Sequence, residues 1–200
     1  MLTGITLMTE KKQISVSKKR NVRTYAKMWN ISRALLQSGK GNPQFSNHHF
    51  TASIVFTAFT LEAYLNHIGL QLFNCWGVIE KLSPKDKLNV IIEKIGLEVN
   101  FGNRPWQVIN NLFGFRNDIA HGKSTEVVEN IILNTDNLDN SIIYDLAKTK
   151  WEKYCTEKNA ERARKDIYQI VILLHDTAGI NEQPFNAGIQ MSNVEVIDHL

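Results

Sequence analysis

Apolar residues recur along this chain at steps of three and four over most of its length. Between 47 and 73, Ile54, Ala58, Leu61, Leu65, Ile68 and Leu72 make one continuous stripe, the period of a helix with a buried face. Residues 160 to 178 repeat the pattern through Ala163, Ile167, Ile170, Val171, Leu174 and Ala178. Val22 to Ser38 reads as an earlier helix, halted by the loop SGKGNP. Ser83 before Pro84 is an N-cap followed by a proline suited to a first helical position, and Gly96 is the expected stop. Asn103 and Pro105 are expected to open the next helix, through WQVINNLFGFRNDIAH, with Gly122 closing it. A further helix is expected over Ser141 to Tyr154. No Asn-Gly hairpin signal separates alternating apolar runs. The pattern predicts an all-α bundle of five to six helices. A long Asn/Asp-rich connection, residues 124 to 140, follows the helix that carries FRNDIAHG.

The ends differ from this middle. Residues 1–21 read as a basic N-terminal arm, 22–180 as one helical domain, and 181–200 as a tail whose end, VEVIDHL, is amphipathic. The stretch from 11 to 23 holds Lys11, Lys12, Lys18, Lys19, Arg20 and Arg23 with no acid among them. Such a run contacts phosphates in some proteins and is only a solvated arm in others. The whole chain carries a net charge of +3, too little by itself to announce a nucleic-acid partner. Its densest apolar run, Ile170 to Leu174, is far too short to span a bilayer. MLTGITLMTEKKQ lacks a basic stretch followed by a long apolar one, so no secretory signal is expected. Cys75 and Cys155 stand in no metal or redox spacing, which suits a reducing cytoplasm.

Little of the chain looks like chemistry except FRNDIAHGK, Phe115 to Lys123, where an apolar helix gives way to polar residues. Arg116 and His121 form R-x-x-x-x-H. The fuller string, with Asn117 directly after the arginine and Gly122 after the histidine, resembles the signature of the HEPN superfamily. The segment TLEAYLN, Thr60 to Asn66, is also similar to HEPN members that carry an acid on the helix facing the motif; here that residue is Glu62. The resemblance covers about 22 to 178, and its specific part is these two strings. Lys123 stands where the antitoxin-paired subgroup has a tyrosine, so modification of such a tyrosine is not expected. The resemblance implies a helical bundle that cuts RNA without metal or other cofactor, commonly as a toxin with a cognate antitoxin or as an antiviral-defence effector. It also implies a homodimer with the motif at its axis. Some members have lost activity and act as RNA- or protein-binding modules.

Elementary chemistry fits these residue types to that reaction. Cutting RNA without metal needs a base for the ribose 2′-hydroxyl, a cation for the phosphorane and an acid for the leaving 5′-oxygen. The reference pKa of histidine, about 6.5, suits either proton transfer. Arginine supplies a permanently charged fork for phosphate oxygens. Residues five apart on a helix lie about 140° apart around the axis, so Arg116 and His121 need help to meet. Gly122 would let the last turn unwind. Asn117, four residues before His121, would reach its imidazole and orient it. A two-fold dimer would supply a second His121, giving both acid and base. Glu62 and Asn66 lie four apart on one helical face and would support Arg116, and Lys123 is the candidate for a further RNA contact. The plain alternative is that Arg116 and His121 only satisfy the last carbonyls of a helix. No metal-ligand pattern occurs: His48 and His49 are adjacent and point apart, and His67 and His175 read as packed single residues.

Overall fold

The computed structural model describes residues 13–130, 147–186, 188 and 190–197. In chain order these form β1 (Gln13–Arg20), α1 (Thr24–Gly41), α2 (Ser46–Leu72), α3 (Trp76–Ile79), α4 (Pro84–Ile95), α5 (Val108–Ala120), α6 (Lys150–Tyr154), α7 (Glu157–Thr177) and β2 (Gln190–Ile197). The fold is mainly helical, with seven helices among the described residues and one two-stranded antiparallel sheet. No described helix is long and apolar enough to cross a membrane.

The centre is α2. Ile54, Ala58, Leu61, Tyr64, Leu65 and Ile68 are fully buried, and the helix packs on α1, α4, α5 and α7. Its seam with α1 includes a polar cluster, Ser32, Ser53 and Thr57, that is fully buried. The Ser32 hydroxyl bonds the Ser53 carbonyl at 2.9 Å and the Thr57 hydroxyl at 2.7 Å, and the Ser53 hydroxyl donates to the Ser32 carbonyl at 2.9 Å. Small side chains let the two backbones approach, and each buried hydroxyl is satisfied, which avoids a penalty of about 1–3 kcal/mol per orphan. On α7, Ala163, Ile167, Ile170, Val171 and Leu174 are all fully buried, so its stripe lies where the periodicity places it. Ser83 caps α4, accepting from the Asp86 N–H at 3.2 Å, and Gly96 ends it in the left-handed conformation with φ 67°.

Two buried charges tie the outer pieces to this core. Asp166 is 1% exposed and takes a forked pair of bonds from Arg104, the shortest 2.6 Å. That pair pins the loop ahead of α5 to α7. Arg164 is 8% exposed, donates to the Trp29 carbonyl at 3.0 Å and lies 3.7 Å over the Trp29 ring. Burial, helped by nearby Arg33, pushes its pKa down to about 10, so it stays charged at neutral pH. A third polar cluster lies between α2, α7 and the turn after it. The Tyr64 hydroxyl meets His175 Nδ1 at 3.2 Å, and His175 Nε2 meets the Glu182 carbonyl.

Several sequence expectations need correction. The arm and the tail are not separate: Gln13–Arg20 and Gln190–Ile197 pair as β1 and β2. Alternation of Ile14 with Val16 is a strand period, and its partner lies at the opposite end of the chain. Pro105 does not open a helix, because the chain turns through 101–107 and α5 starts only at Val108. The helix expected from Ser141 is not present over 147–149. There Thr149 is extended and caps α6 in a reciprocal pair with Glu152, so the helix is Lys150–Tyr154; residues 141–146 lie outside the described residues. The short α3 had no sequence signal. Of the connection expected over 124–140, residues 124–130 carry no regular structure and the remainder lies outside the described residues.

Two outcomes test this packing. A Cβ on Gly69 would sit 2.3 Å from two atoms of the Trp76 ring, which is itself 2% exposed. Gly69→Ala therefore lowers the unfolding free energy by about 1–3 kcal/mol despite its helix propensity, read from the urea midpoint; an unchanged midpoint would mean that α3 does not pack on α2. His67 lies 4.8 Å from the Tyr25 ring and accepts from the Gln71 amide at 3.0 Å. Burial first, then Arg23, holds its pKa below the usual histidine value. The unfolded chain therefore takes the proton before the folded one does. Stability is at its full value above about pH 6.5 and falls below it, until the depressed folded pKa is passed. Urea titrations between neutral and acid pH should show that slope in the native chain and a shallower one in His67→Gln.

Candidate functional site

The buried face of α5 is Val108, Ile109, Leu112, Phe113 and Phe115, spaced to seat the helix on α2 and the neighbouring helices. Arg116 follows at the edge of that face, so its side chain runs along α2 rather than into water. Its Nη2 donates to Glu62 Oε2 at 3.2 Å and lies 3.5 Å from Oε1. Both side chains of this ion pair are 24% exposed. Arg116 Nη1 donates to Asn117 Oδ1 at 2.9 Å, and its Cζ lies 6.0 Å from the Phe59 ring centre. Arg116 Nε is buried with no hydrogen-bond partner among the described residues. A guanidinium held at three points on its rim by a carboxylate, an amide and a ring has little rotational freedom.

This arginine lines an open groove of about 270 Å³ with Thr24, Met28, Phe59, Glu62, Ala63 and Asn66. The groove thus lies along α2, between the start of α1 and the end of α5. Asn66 does not support Arg116, as the shared helical face suggested. Its oxygen accepts from Lys87 Nζ of α4 at 3.0 Å, and Lys87 is only 4% exposed. Asn66 is thus occupied satisfying a buried ammonium.

His121 is placed differently. It is the C-cap residue of α5, with φ −120° and ψ 15°, and its backbone N–H donates to the Asn117 carbonyl at 2.9 Å. Its ring is exposed and makes no hydrogen bond among the described residues. The expected bond from Asn117 to the imidazole is absent, because the Asn117 amide is turned to Arg116. The protomer therefore brings Glu62, Arg116 and Asn117 together and leaves His121 apart. Gly122 also acts otherwise than expected. Its φ is not positive; a Cβ there would meet the Asp118 carbonyl oxygen at 2.7 Å. Glycine is required for close approach to the last turn of α5, and this fixes the path by which the chain leaves the helix. Lys123 is exposed just beyond.

Two residues of this region carried a signal that the motif did not include. Phe59, 36% exposed, lies one turn before Glu62 on α2 and forms the apolar floor beside Arg116. Asp118 faces away from Arg116, into a second cavity of about 220 Å³ lined also by Asn110, Asn111, Gly114, Lys150 and Tyr154. Among the described residues, no group of three or more His, Cys, Asp or Glu is placed to hold a metal ion.

The ion pair can be weighed directly. A double-mutant cycle on Glu62→Ala and Arg116→Ala should give a coupling of roughly 0.5–1 kcal/mol in unfolding free energy, the size expected of a pair still reached by solvent. No coupling would mean that the two side chains do not hold each other in solution.

Compared with protein-family models, with curated proteins and with solved structures, the chain matches none.

Proposed function

We propose that this chain is a metal-independent endoribonuclease of the HEPN type, acting as a two-fold dimer, in the setting of a toxin or antiviral-defence effector. The observation that carries the reading is the guanidinium of Arg116, held by Glu62 and Asn117 on the rim of an open groove, five residues before an exposed His121. Arginine has five N–H donors, and the two partners occupy only part of them. Nε is buried, and the second N–H on each of Nη1 and Nη2 suits a phosphate oxygen.

In the proposed reaction, Arg116 stabilises the negative charge that builds on phosphorus. One His121 takes the proton of the ribose 2′-hydroxyl as its oxygen attacks phosphorus. The bond to the 5′-oxygen breaks, and the His121 of the second copy delivers a proton to it. The products are a 2′,3′-cyclic phosphate and a 5′-hydroxyl. A second copy is needed because a single exposed imidazole does not serve both ends of the reaction. It is also what would order His121, whose ring makes no hydrogen bond among the described residues. The partly exposed apolar residues of α2 and α5, Phe59 and Ile119, adjoin the motif and suit a contact between copies. Asn117 serves Arg116 in this scheme. An antitoxin protein would act by covering the groove.

A binding module for RNA or protein, without activity, is the second reading. It is favoured by the charge of Arg116 being already countered by Glu62. The two separate on one experiment: purified protein, RNA and EDTA, native chain against His121→Ala. On the first reading the native chain cuts and leaves cyclic phosphate ends, and His121→Ala, still folded, does not. Arg116→Ala loses about 10²–10³ in rate, roughly 2.7–4 kcal/mol, as when one oxyanion donor is removed. Arg116→Lys keeps the charge, loses the fork and falls less. RNA bound but uncut by the native chain selects the binding module.

A further inference from the structure

The basic segment Lys18, Lys19 and Arg20 is not a loose arm. It is the inner end of β1, and its root is built into the helical body at three places. Arg23 forms an ion pair with Glu182 and lies 3.4 Å and 3.5 Å from the carbonyl oxygens of Gln183 and Asn186. Phe185, held at φ 59°, stacks on Tyr168 and lies 4.7 Å from the Trp29 ring. Gly188, at φ 93°, passes so close to Asn21 that a Cβ would fall 2.2 Å from the Asn21 carbonyl oxygen. No other residue fits both that conformation and that approach. The β1–β2 ribbon therefore leaves the body from an anchored root.

The register decides how its side chains are arrayed. Ile14, Val16, Lys18 and Arg20 share one face with Ser192 and Val194. Ser15, Ser17 and Lys19 share the other with Met191, Asn193 and Glu195. The three cations are exposed, and none has an ion pair or hydrogen bond among the described residues. Lys18 and Lys19 face Ser192 and Met191. The one acid among the described ribbon residues, Glu195, lies opposite Ser15 towards the far end and accepts from Asn193 at 2.8 Å. Three cations thus surround the root of a thin ribbon, with two of them about 7 Å apart along one face and the third on the other. This charge calls for a polyanion.

The root also adjoins the groove described above. Thr24 lines that groove with Arg116, and Thr24 is four residues from Arg20, a reach of at most about 14 Å. We propose that Lys18, Lys19 and Arg20 grip the sugar-phosphate backbone of a single RNA strand and lead it into the Arg116 groove. The proposal rests on the ribonuclease reading in taking RNA as the polyanion. Cations on both faces, with no aromatic residue on the described ribbon, read phosphates and not bases, so the contact is independent of sequence. The apolar side chains Ile14, Val16 and Val194, 60%, 48% and 60% exposed, lie farther out, away from the groove.

The test is RNA affinity against salt, measured by fluorescence anisotropy with a labelled mixed-sequence single-stranded RNA. All proteins carry His121→Ala so that the probe survives. Replacing Lys18, Lys19 and Arg20 together by Gln removes three phosphate contacts. The slope of log affinity against log salt should then fall by about two, with binding roughly a hundredfold weaker at about 0.1 M salt and converging towards 1 M. Ser17→Lys, on the same face as Lys19, should steepen the slope by about 0.7. This arm does not depend on how the triple variant folds. Equal slopes for parent, triple variant and Ser17→Lys overturn the proposal, as does a parent that binds no RNA. If RNA binding is indifferent to these changes while Val16→Ser turns a dimer into a monomer in light scattering, the ribbon is a protein interface. Failure here is distinct from failure of the ribonuclease reading. A chain with His121 restored that cuts RNA equally well with and without the three cations keeps the reading and loses the ribbon. A chain whose binding follows the cations but which never cuts keeps the ribbon and loses the reading.

Discussion

The structure depends on one constraint: α2 must be buried over about half of its circumference. Over its 27 residues, Ser46–Leu72, it presents eleven buried residues that do not fit one narrow stripe. A helix of that kind is stable only inside a ring of neighbours. Here α1, α4, α5 and α7 provide the ring, with the short polar seam of Ser32, Ser53 and Thr57 setting how closely α1 approaches. What the ring does not cover is a strip that includes Phe59, Glu62, Ala63 and Asn66, and this strip is the floor of the groove. The candidate site is therefore the gap left when the central helix is enclosed, and Arg116 reaches it because Phe115, its neighbour, is anchored in the core.

That origin explains which parts of the site were legible in the sequence. Glu62 opposite Arg116 follows from two motif strings on packed helices, and the pair is present at 3.2 Å. The role of Asn66 was not legible, because the periodicity of α2 says nothing of Lys87 arriving from α4. The orientation of Asn117 was misread for a similar reason. A spacing of four residues makes its contact with His121 geometrically available, but the adjacent guanidinium is a stronger, charged donor and takes the amide oxygen. For Gly122 the position was read correctly and the reason was not. The conformation is ordinary, and the constraint is the carbonyl of Asp118.

For the fold, long stripes and caps were legible, and pairings across the chain were not. The buried faces of α2 and α7, the Ser83–Pro84 start and the Gly96 stop are local signals. The ribbon has local signals too, Ile14 with Val16 and the Val194 alternation, but they are brief. One was masked by the charges beside it and the other reads equally well as an amphipathic helix end. Only the meeting of two segments at least 170 positions apart, Arg20 with Gln190 and outward, makes either a strand. A two-stranded ribbon has little stability alone, so its information resides in the roots, Arg23 with Glu182 and Gly188 against Asn21. Neither root is visible to periodicity.

The Arg116–Glu62 pair sets the terms on which the proposed chemistry would run. A free guanidinium in an open groove would hold any phosphate, including product. One countered by a carboxylate keeps its orientation but carries less net charge, so a resting phosphate gains little from it. The pentavalent phosphorane carries more charge than the phosphodiester and draws more strongly on the same donors. An arginine held in this way would discriminate between the two states, which is what lowers a barrier, where uniform binding does not. Strand binding would then have to come from elsewhere. The cations at the root of the ribbon are suited to it, since they are exposed and uncompensated among the described residues. The molecule would in this way divide its positive charge between cations that hold RNA by its charge alone and one neutralised arginine that acts at the reacting phosphate.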